Sequence, residues 1–393
     1  VNIANSDCDA TGPACGGGSD YRPSAQTVKW SLSVSPEVVR TGEEILLSES
    51  IIDRFVRQRN RIKDVNFTCH VEPFMADAHG VYLSPRENEV HLTQMLRFQE
   101  ITGITVSPVF NNIYVPNTRA NFDRFMPSVE TLYDRGIRSL GVPHLLWMKY
   151  GKLNERFPGL RLKNTVLRRV RSAQDFWNHA SAGYDYVNID RLAVRDPHLL
   201  AEIKLAQTVF RATTGRHVDI SLLDGEGCPG SCDIIEEHHQ HTLTHPGTAD
   251  ANGNLEVFRF PQQFSCLARP HPEMNWLVSV GMPFWAEDFC NVCKYIDVIK
   301  LPGRRTIHSL EDGLGKLEMI SKWDEGIAPD APETLLRMVE NPATAKDLEN
   351  WRKVSRTCRF QCWSCQVCQK IIAECREQNG DGRAGQHPVI PDS

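Results

Sequence analysis

The sequence predicts a closed (β/α)8 barrel, a TIM-like fold, with an N-terminal extension and a cysteine-rich C-terminal extension. Three observations lead there. β-rich runs and helical patterns alternate eight times over about 255 residues. Gly103, Gly136, Gly183 and Gly215 each stand just before a strand, where helices end. Eight repeats of this size favour closure over an open doubly wound sheet.

Residues 1–30 read as a flexible tail, with Cys15-Gly16-Gly17-Gly18-Ser19 flexible by composition. Residues 31–64 read as a helical extension. Its helix covers Ser48 to Ile62, where Ile51, Ile52, Phe55 and Val56 recur at helical spacing against Arg54, Arg57, Arg59 and Arg61. The barrel is assigned to 65–320. Its expected strands are Val65–Cys69, Ile104–Phe110, Ile137–Val142, Leu160–Thr165, Tyr186–Ile189, Val218–Leu223, Trp276–Val280 and Ile296–Leu301. Helices are expected at Glu87–Ile101, Asn121–Tyr133, Leu145–Arg156, Ala173–Ala182, Pro197–Arg211, Ser231–Thr242, Glu287–Cys293 and Ile307–Ile320. The extension, 321–393, opens on an acidic, proline-containing connector and carries the densest cysteines.

Of 393 residues, 41% are hydrophobic and 24% charged, which excludes a wholly disordered or collagen-like chain. A formal net charge of −5 excludes a dominant electrostatic footprint for nucleic acid, though not a local one. No apolar run is long enough to span a membrane. No basic patch followed by an apolar stretch opens the chain, so a cytoplasmic location is expected.

The 13 cysteines are the exceptional feature, and ten of them fall at or after Cys228. Clusters at two- and three-residue gaps read better as metal or iron–sulfur ligands than as disulfides. In Glu226-Gly227-Cys228-Pro229-Gly230-Ser231-Cys232 two thiols bracket the expected start of a helix, where thiolate and anionic clusters are favoured. Cys266 follows in the next long loop. Cys358, Cys362, Cys365 and Cys368 then place four thiols within eleven residues. The first three have radical S-adenosylmethionine spacing, but such a motif follows a first barrel strand, and only 25 residues follow Cys368. This block is either a structural cluster or zinc knuckle, or a tail folding over the barrel mouth to complete the first site. Cys290 and Cys293 fall on a helix leading into a strand, at the opposite, structural face. His238 and His241 share a helical face but lack the order of a zinc protease.

Chemistry in this fold sits at the C-terminal ends of the strands. Those positions carry Cys69-His70-Val71-Glu72, Asn111-Asn112, His144, Asn164, Asn188, Asp190-Arg191, Glu226, Lys300 and Arg304.

Several segments resemble the collagenase-like peptidase family, which includes oxygen-independent hydroxylases of ubiquinone precursors and RNA. They are Gly103-Ile104-Thr105 through Asn112, Leu132–Ile137, and Leu160–Thr165 with Ala173–Asn188. Leu223–Cys232 with His238, then Trp285–Phe289 and Ile299–Arg304, complete the resemblance over roughly Asn66 to Cys368. Asp224 stands where Asn is usual, and Asp233 and Ala286 each replace a Pro. The resemblance implies a barrel holding a 4Fe–4S cluster through Cys228, Cys232 and further cysteines.

The expected function is therefore an iron–sulfur barrel enzyme, an oxidoreductase acting by oxygen-independent hydroxylation or related redox modification of an aromatic or nucleobase-like substrate. Cys228, Cys232 and Cys266 would hold one cluster, with Cys69 or the C-terminal block as fourth ligand. Cys358, Cys362, Cys365 and Cys368 would bind a second cluster or zinc. Glu226 and His238 would act as acid/base or orienting groups, and Lys300 and Arg304 would bind an anionic substrate. The alternatives are a peptidase or hydrolase with a structural metal, and a non-catalytic cluster-bearing partner subunit. A protein partner or a homo-oligomer fits the tails. RNA is the less favoured partner, resting on the basic stretch Arg161, Lys163, Arg168, Arg169 and Arg171.

Overall fold

The computed structural model describes residues 28–34, 45–69, 83–225, 228–230, 232–244, 248–249, 255–256, 272–302, 309–323 and 326–378. Eight parallel strands close a barrel: β1 (Lys29–Val34), β2 (Ile62–Thr68), β3 (Val106–Val109), β4 (Ser139–Gly141), β5 (Arg161–Lys163), β6 (Tyr186–Asn188), β7 (Asp219–Leu223) and β8 (Val298–Lys300). Each strand pairs with the next in sequence. β8 closes the ring on β1 through Lys29↔Val298, Trp30↔Ile299 and Ser31↔Lys300.

Two expectations change. The barrel begins at Lys29, not at Val65, so the tail and helical extension assigned to 1–64 contain a barrel strand. Trp30-Ser31-Leu32-Ser33-Val34 alternates apolar and small polar residues, the pattern of a strand with unlike faces. Trp30 packs outward, its ring 6.5 Å from Phe289. Conversely, Trp276–Val280 is no strand. Pro272–Leu277 forms a 3-10 helix, and Ser279 makes an isolated bridge to Pro229. Its hydrophobicity serves a second core rather than the barrel wall.

The helices are α1 (Glu49–Gln58), α2 (Pro85–Thr102), α3 (Arg119–Asp134), α4 (Leu145–Gly151), α5 (Leu153–Arg156), α6 (Ala173–Ser181), α7 (Pro197–Thr214), α8 (Ile235–Thr244), α9 (Ala286–Cys293) and α10 (Ser309–Ser321). The two longest share their punctuation. Ser84 and Glu87 form a capping box at the start of α2, and Asp196 caps α7. Proline opens both, and both end on a glycine with positive φ, Gly103 at 69° and Gly215 at 73°.

The extension adds α11 (Glu333–Glu340), α12 (Pro342–Ser355) and α13 (Val367–Gln378). Leu335, Met338, Leu348, Trp351 and Ile371 form a core with Trp276 and Leu277 that is separate from the barrel's own. The extension is thereby held to the β7–β8 connection, on the C-terminal side of the ring.

Candidate functional site

A (β/α)8 interior is normally filled by branched aliphatic side chains. Here it is polar. Lys163, on β5, donates to Asp64 Oδ2 at 2.8 Å and also hydrogen-bonds Asn66 Oδ1, both on β2. β2 and β5 are not neighbours in the ring, so this ion pair crosses the interior. Lys163 and Asp64 side chains are 2% and 4% exposed. Ser31 Oγ donates to Asp64 Oδ1 at 2.5 Å and accepts from Asn66 Nδ2 at 2.6 Å. Tyr186 donates to Ser221 at 2.9 Å, and the Lys163 ammonium lies 5.5 Å from its ring centre. Burial opposes charge on Asp64, but Lys163, Ser31 and the nearby charge of Lys300 hold its carboxyl below the ordinary range. Burial pushes the Tyr186 phenol well up, and the Asp64 charge adds to this.

Above this pair stand the amides. Asn164 and Asn188 bond reciprocally across β5 and β6, with Asn188 Nδ2 donating to Asn164 O at 2.6 Å and Asn164 Nδ2 to Asn188 O at 3.1 Å. Ser107 Oγ, Asn111 Oδ1 and Asn188 Oδ1 are buried without a hydrogen-bond partner among the described residues. Buried orphans of this kind mark a place where a ligand or water is accommodated. Across the rim runs α8, which follows β7. Asn112 Nδ2 donates to Leu243 O at 3.2 Å, and Tyr114 donates to Glu236 O at 3.1 Å, so the β3 loop grips both ends of α8. Val166, Leu167, Leu223 and Leu243 form a small apolar cap there.

The cysteine centre lies beside the mouth, at the β6 and β7 rim. Cys358, Cys362, Cys365 and Cys368 border one small cavity together with Arg195, Trp351 and Phe360. Arg195 ends the 3-10 turn after β6 and is 9% exposed. Its guanidinium donates to Leu277 O and Ser279 O, each at 3.1 Å, and to Cys358 Sγ at 3.5 Å. It lies 4.7 Å from the Phe360 ring centre and 5.6 Å from that of Trp351. No carboxylate pairs with it among the described residues. The Phe360 N–H also points at Cys358 Sγ, at 3.4 Å. Burial pushes the Cys368 thiol up to about 11, against the opposing charge of Arg195. Among the described residues these sulfurs form no group of three within 4.8 Å of one another. A zinc tetrathiolate, with Zn–S of about 2.3 Å, brings sulfurs to about 3.8 Å.

The Cys228 loop docks against this block. Val280 N donates to Cys228 O and Gly230 N to Val278 O, each at 2.9 Å. A side chain on Gly230 would meet the Phe360 ring at 1.9 Å, so only glycine admits this approach. Cys228 and Cys232 are partly buried, but neither borders the cavity of the four-cysteine block.

Lys300 ends β8, buried in the interior beside Asp64. His238 rides on α8, its ring 6.0 Å from that of His239. Cys69 directly follows β2, which lies diametrically across the ring from β6. It belongs to the apolar core, where burial raises its thiol to about 12, so β2 brings it to neither cysteine group. Cys290 and Cys293 are buried on α9. Glu226, Cys266 and Arg304 lie outside the described residues.

The basic stretch does not form one surface. Lys163 faces Asp64, Arg161 pairs with Asp219, Arg168 donates to Pro143 O, and Arg169 and Arg171 pair with Asp190. Each of the five thus has a partner within the chain. Sequence reading missed Asp64, Asn66 and Arg195. The alternation of Asp64, Asn66 and Thr68 with Val65 and Phe67 was the available signal for the first two.

Fold and site together define a (β/α)8 barrel with a charged interior and a cysteine block on its C-terminal rim. No protein-family model matches the chain, and no curated protein matches it. Similar solved structures include the U32 peptidase Mk0906, at 12% identity over 70% of this chain and 92% of that one, with a TM-score of 0.44. Deoxyribose phosphate aldolase from Aeropyrum pernix is 11% identical over 76% and 92%, with a TM-score of 0.36. 2,3-Dimethylmalate lyase, a PEP mutase/isocitrate lyase superfamily member, is 9% identical over 83% and 94%, at 0.36. Likeness at this level carries nothing about reaction or substrate.

Proposed function

We propose that the chain is an iron–sulfur-dependent barrel enzyme that performs a redox modification, with oxygen-independent hydroxylation of an aromatic or nucleobase-like substrate as the specific reading. The observation that carries it is Arg195. A buried guanidinium without a carboxylate needs an anion, and here its N–H is aimed at a cysteine sulfur. Cys358, Cys362, Cys365 and Cys368 would hold the group as thiolates, with Arg195 and the Phe360 N–H bonding to Cys358. Four thiols around one cavity supply the ligand number of a four-iron cluster. When bound, such a cluster supplies one-electron transfer.

The chain's own residues account for the rest. Lys163 and Lys300 favour an anionic group on the substrate, and Asp64 keeps Lys163 oriented and charged. The orphaned amide and hydroxyl oxygens of Asn188, Asn111 and Ser107 offer acceptors to it. α8 limits the water that reaches the mouth. The test is anaerobic reconstitution with iron and sulfide, read by absorbance near the thiolate-to-iron band and by electron paramagnetic resonance. Bound iron and sulfide are expected in the wild type and lost in Cys362→Ser with Cys368→Ser. A protein that takes up no iron, or a double variant that keeps it all, overturns the assignment to this block.

A further inference from the structure

A second cavity, of about 300 Å³, opens in the seam between barrel and extension. That volume lies at the lower end of the range of small-molecule sites. It is outside the barrel, between α7, α9 and α12, and Arg195, Trp351 and Ser355 form the wall it shares with the cysteine cavity. Its inner surface is aromatic. Trp276 and Trp351 are 6% and 4% exposed and stand edge to face at 5.1 Å. Phe284, Trp285 and Tyr295 continue the wall.

Its charge is unbalanced in one direction. Asp288 is the lining carboxylate, and it is already engaged by Arg352 at 2.7 Å and Arg356 at 2.6 Å. Lys294 borders the cavity from the exposed side, and its ammonium donates only to the neutral Asn291 Oδ1, at 2.8 Å. Among the described residues, then, rings lie at the base and an ammonium without a carboxylate stands at the edge. A neutral apolar ligand would leave that ammonium unused. A saturated acid would forgo edge-to-face contacts with the indoles.

We infer that this seam is a binding site for an aryl carboxylate, with its ring packed against the aromatic wall of Trp276, Trp351 and Phe284 and its carboxylate at Lys294. Trp351 borders both cavities, but Trp276 and Lys294, which set the aromatic wall and the charge here, do not border that of the cysteines, so the inference does not depend on the block holding iron.

The test is calorimetric titration of the full-length protein, as purified and after cluster reconstitution, with 2-naphthoate as probe. 2-Naphthamide removes the charge and decahydro-2-naphthoate removes the aromaticity. The expectation is that 2-naphthoate binds at least about tenfold more tightly than either analogue. Lys294→Gln should weaken it about tenfold and Lys294→Arg should restore it, since this exposed residue can change without disturbing the fold. Leu200→Trp, which fills the cavity from α7, should abolish binding while circular dichroism stays native. Binding should survive Cys362→Ser, which separates this site from the iron assignment. No binding of 2-naphthoate, equal binding of the amide or the saturated acid, or indifference to Lys294→Gln would overturn it.

Discussion

His91 sits in α2 against the edge of Phe67, fully buried, with neither ring nitrogen hydrogen-bonded among the described residues. Burial lowers its pKa to about 4 from an ordinary 6.5. The folded-state value is depressed, so the unfolded chain takes up the proton first as pH falls. The stability this neutral ring allows is present above about pH 6.5 and is lost between there and about pH 4, in an amount of about 3 kcal/mol. His91→Met should therefore flatten the acid limb of stability, checked by urea midpoints at pH 7 and pH 4.5. Part of the acid sensitivity should persist, because burial and the Arg168 charge also depress His144. The Lys163–Asp64 pair obeys the opposite logic. Removing either partner strands a buried charge, so Asp64→Leu and Lys163→Met should each destabilise by about 3–5 kcal/mol, and the double variant by less than their sum. A denaturant double-mutant cycle measures it.

At the scale of elements, the approach of the Cys228 loop to the cysteine block is the contact most sensitive to a single methyl. Gly230→Ala collides with Phe360, and the ring cannot yield without leaving Arg195. The variant should undock the block and expose the 355–366 turn to limited proteolysis, and Phe360→Leu in the same chain should restore protection. Seven of the eight barrel strands were legible because their β-branched runs lie between well-punctuated helices. β1 was not. Its two serines dilute the apolar signal, and the unpunctuated stretch around it reads as a tail. Trp276–Val280 misled for the converse reason, since a 3-10 turn feeding a separate core is as apolar as a strand. That Cys358, Cys362, Cys365 and Cys368 gather around one cavity was legible from spacing alone. Arg195 was not, because nothing local distinguishes it from Arg191 in the same turn; its meaning comes from residues over 160 positions away.

For the whole molecule, two hydrophobic cores meet at a seam that contains a cavity. Two cores of unequal size should melt separately. Differential scanning calorimetry is expected to resolve a smaller, lower transition from the extension and a larger one from the barrel. Loading the cysteine block should raise only the lower one. Among the described residues, the opposite end of the barrel offers no comparable centre. His217, Asp219 and Asp297 do converge within 4.8 Å. However, Lys63 and Arg161 hold Asp219 at 2.5 and 3.1 Å, and Lys204 and Gln207 hold Asp297 at 3.1 and 2.5 Å. These carboxylates fasten the N-terminal ends of the strands, where conservation of structure rather than chemistry is the usual demand.

Arg195 faces both the cysteine cavity and the seam. One guanidinium thus belongs to two compartments, and thermodynamic reciprocity binds them. Whatever factor an occupant of one compartment imposes on the affinity of the other is returned unchanged. A titration from either side would therefore measure the same coupling, so if both proposed sites hold their ligands, occupancy of the cysteine cavity becomes readable as the strength with which the seam holds an aryl acid.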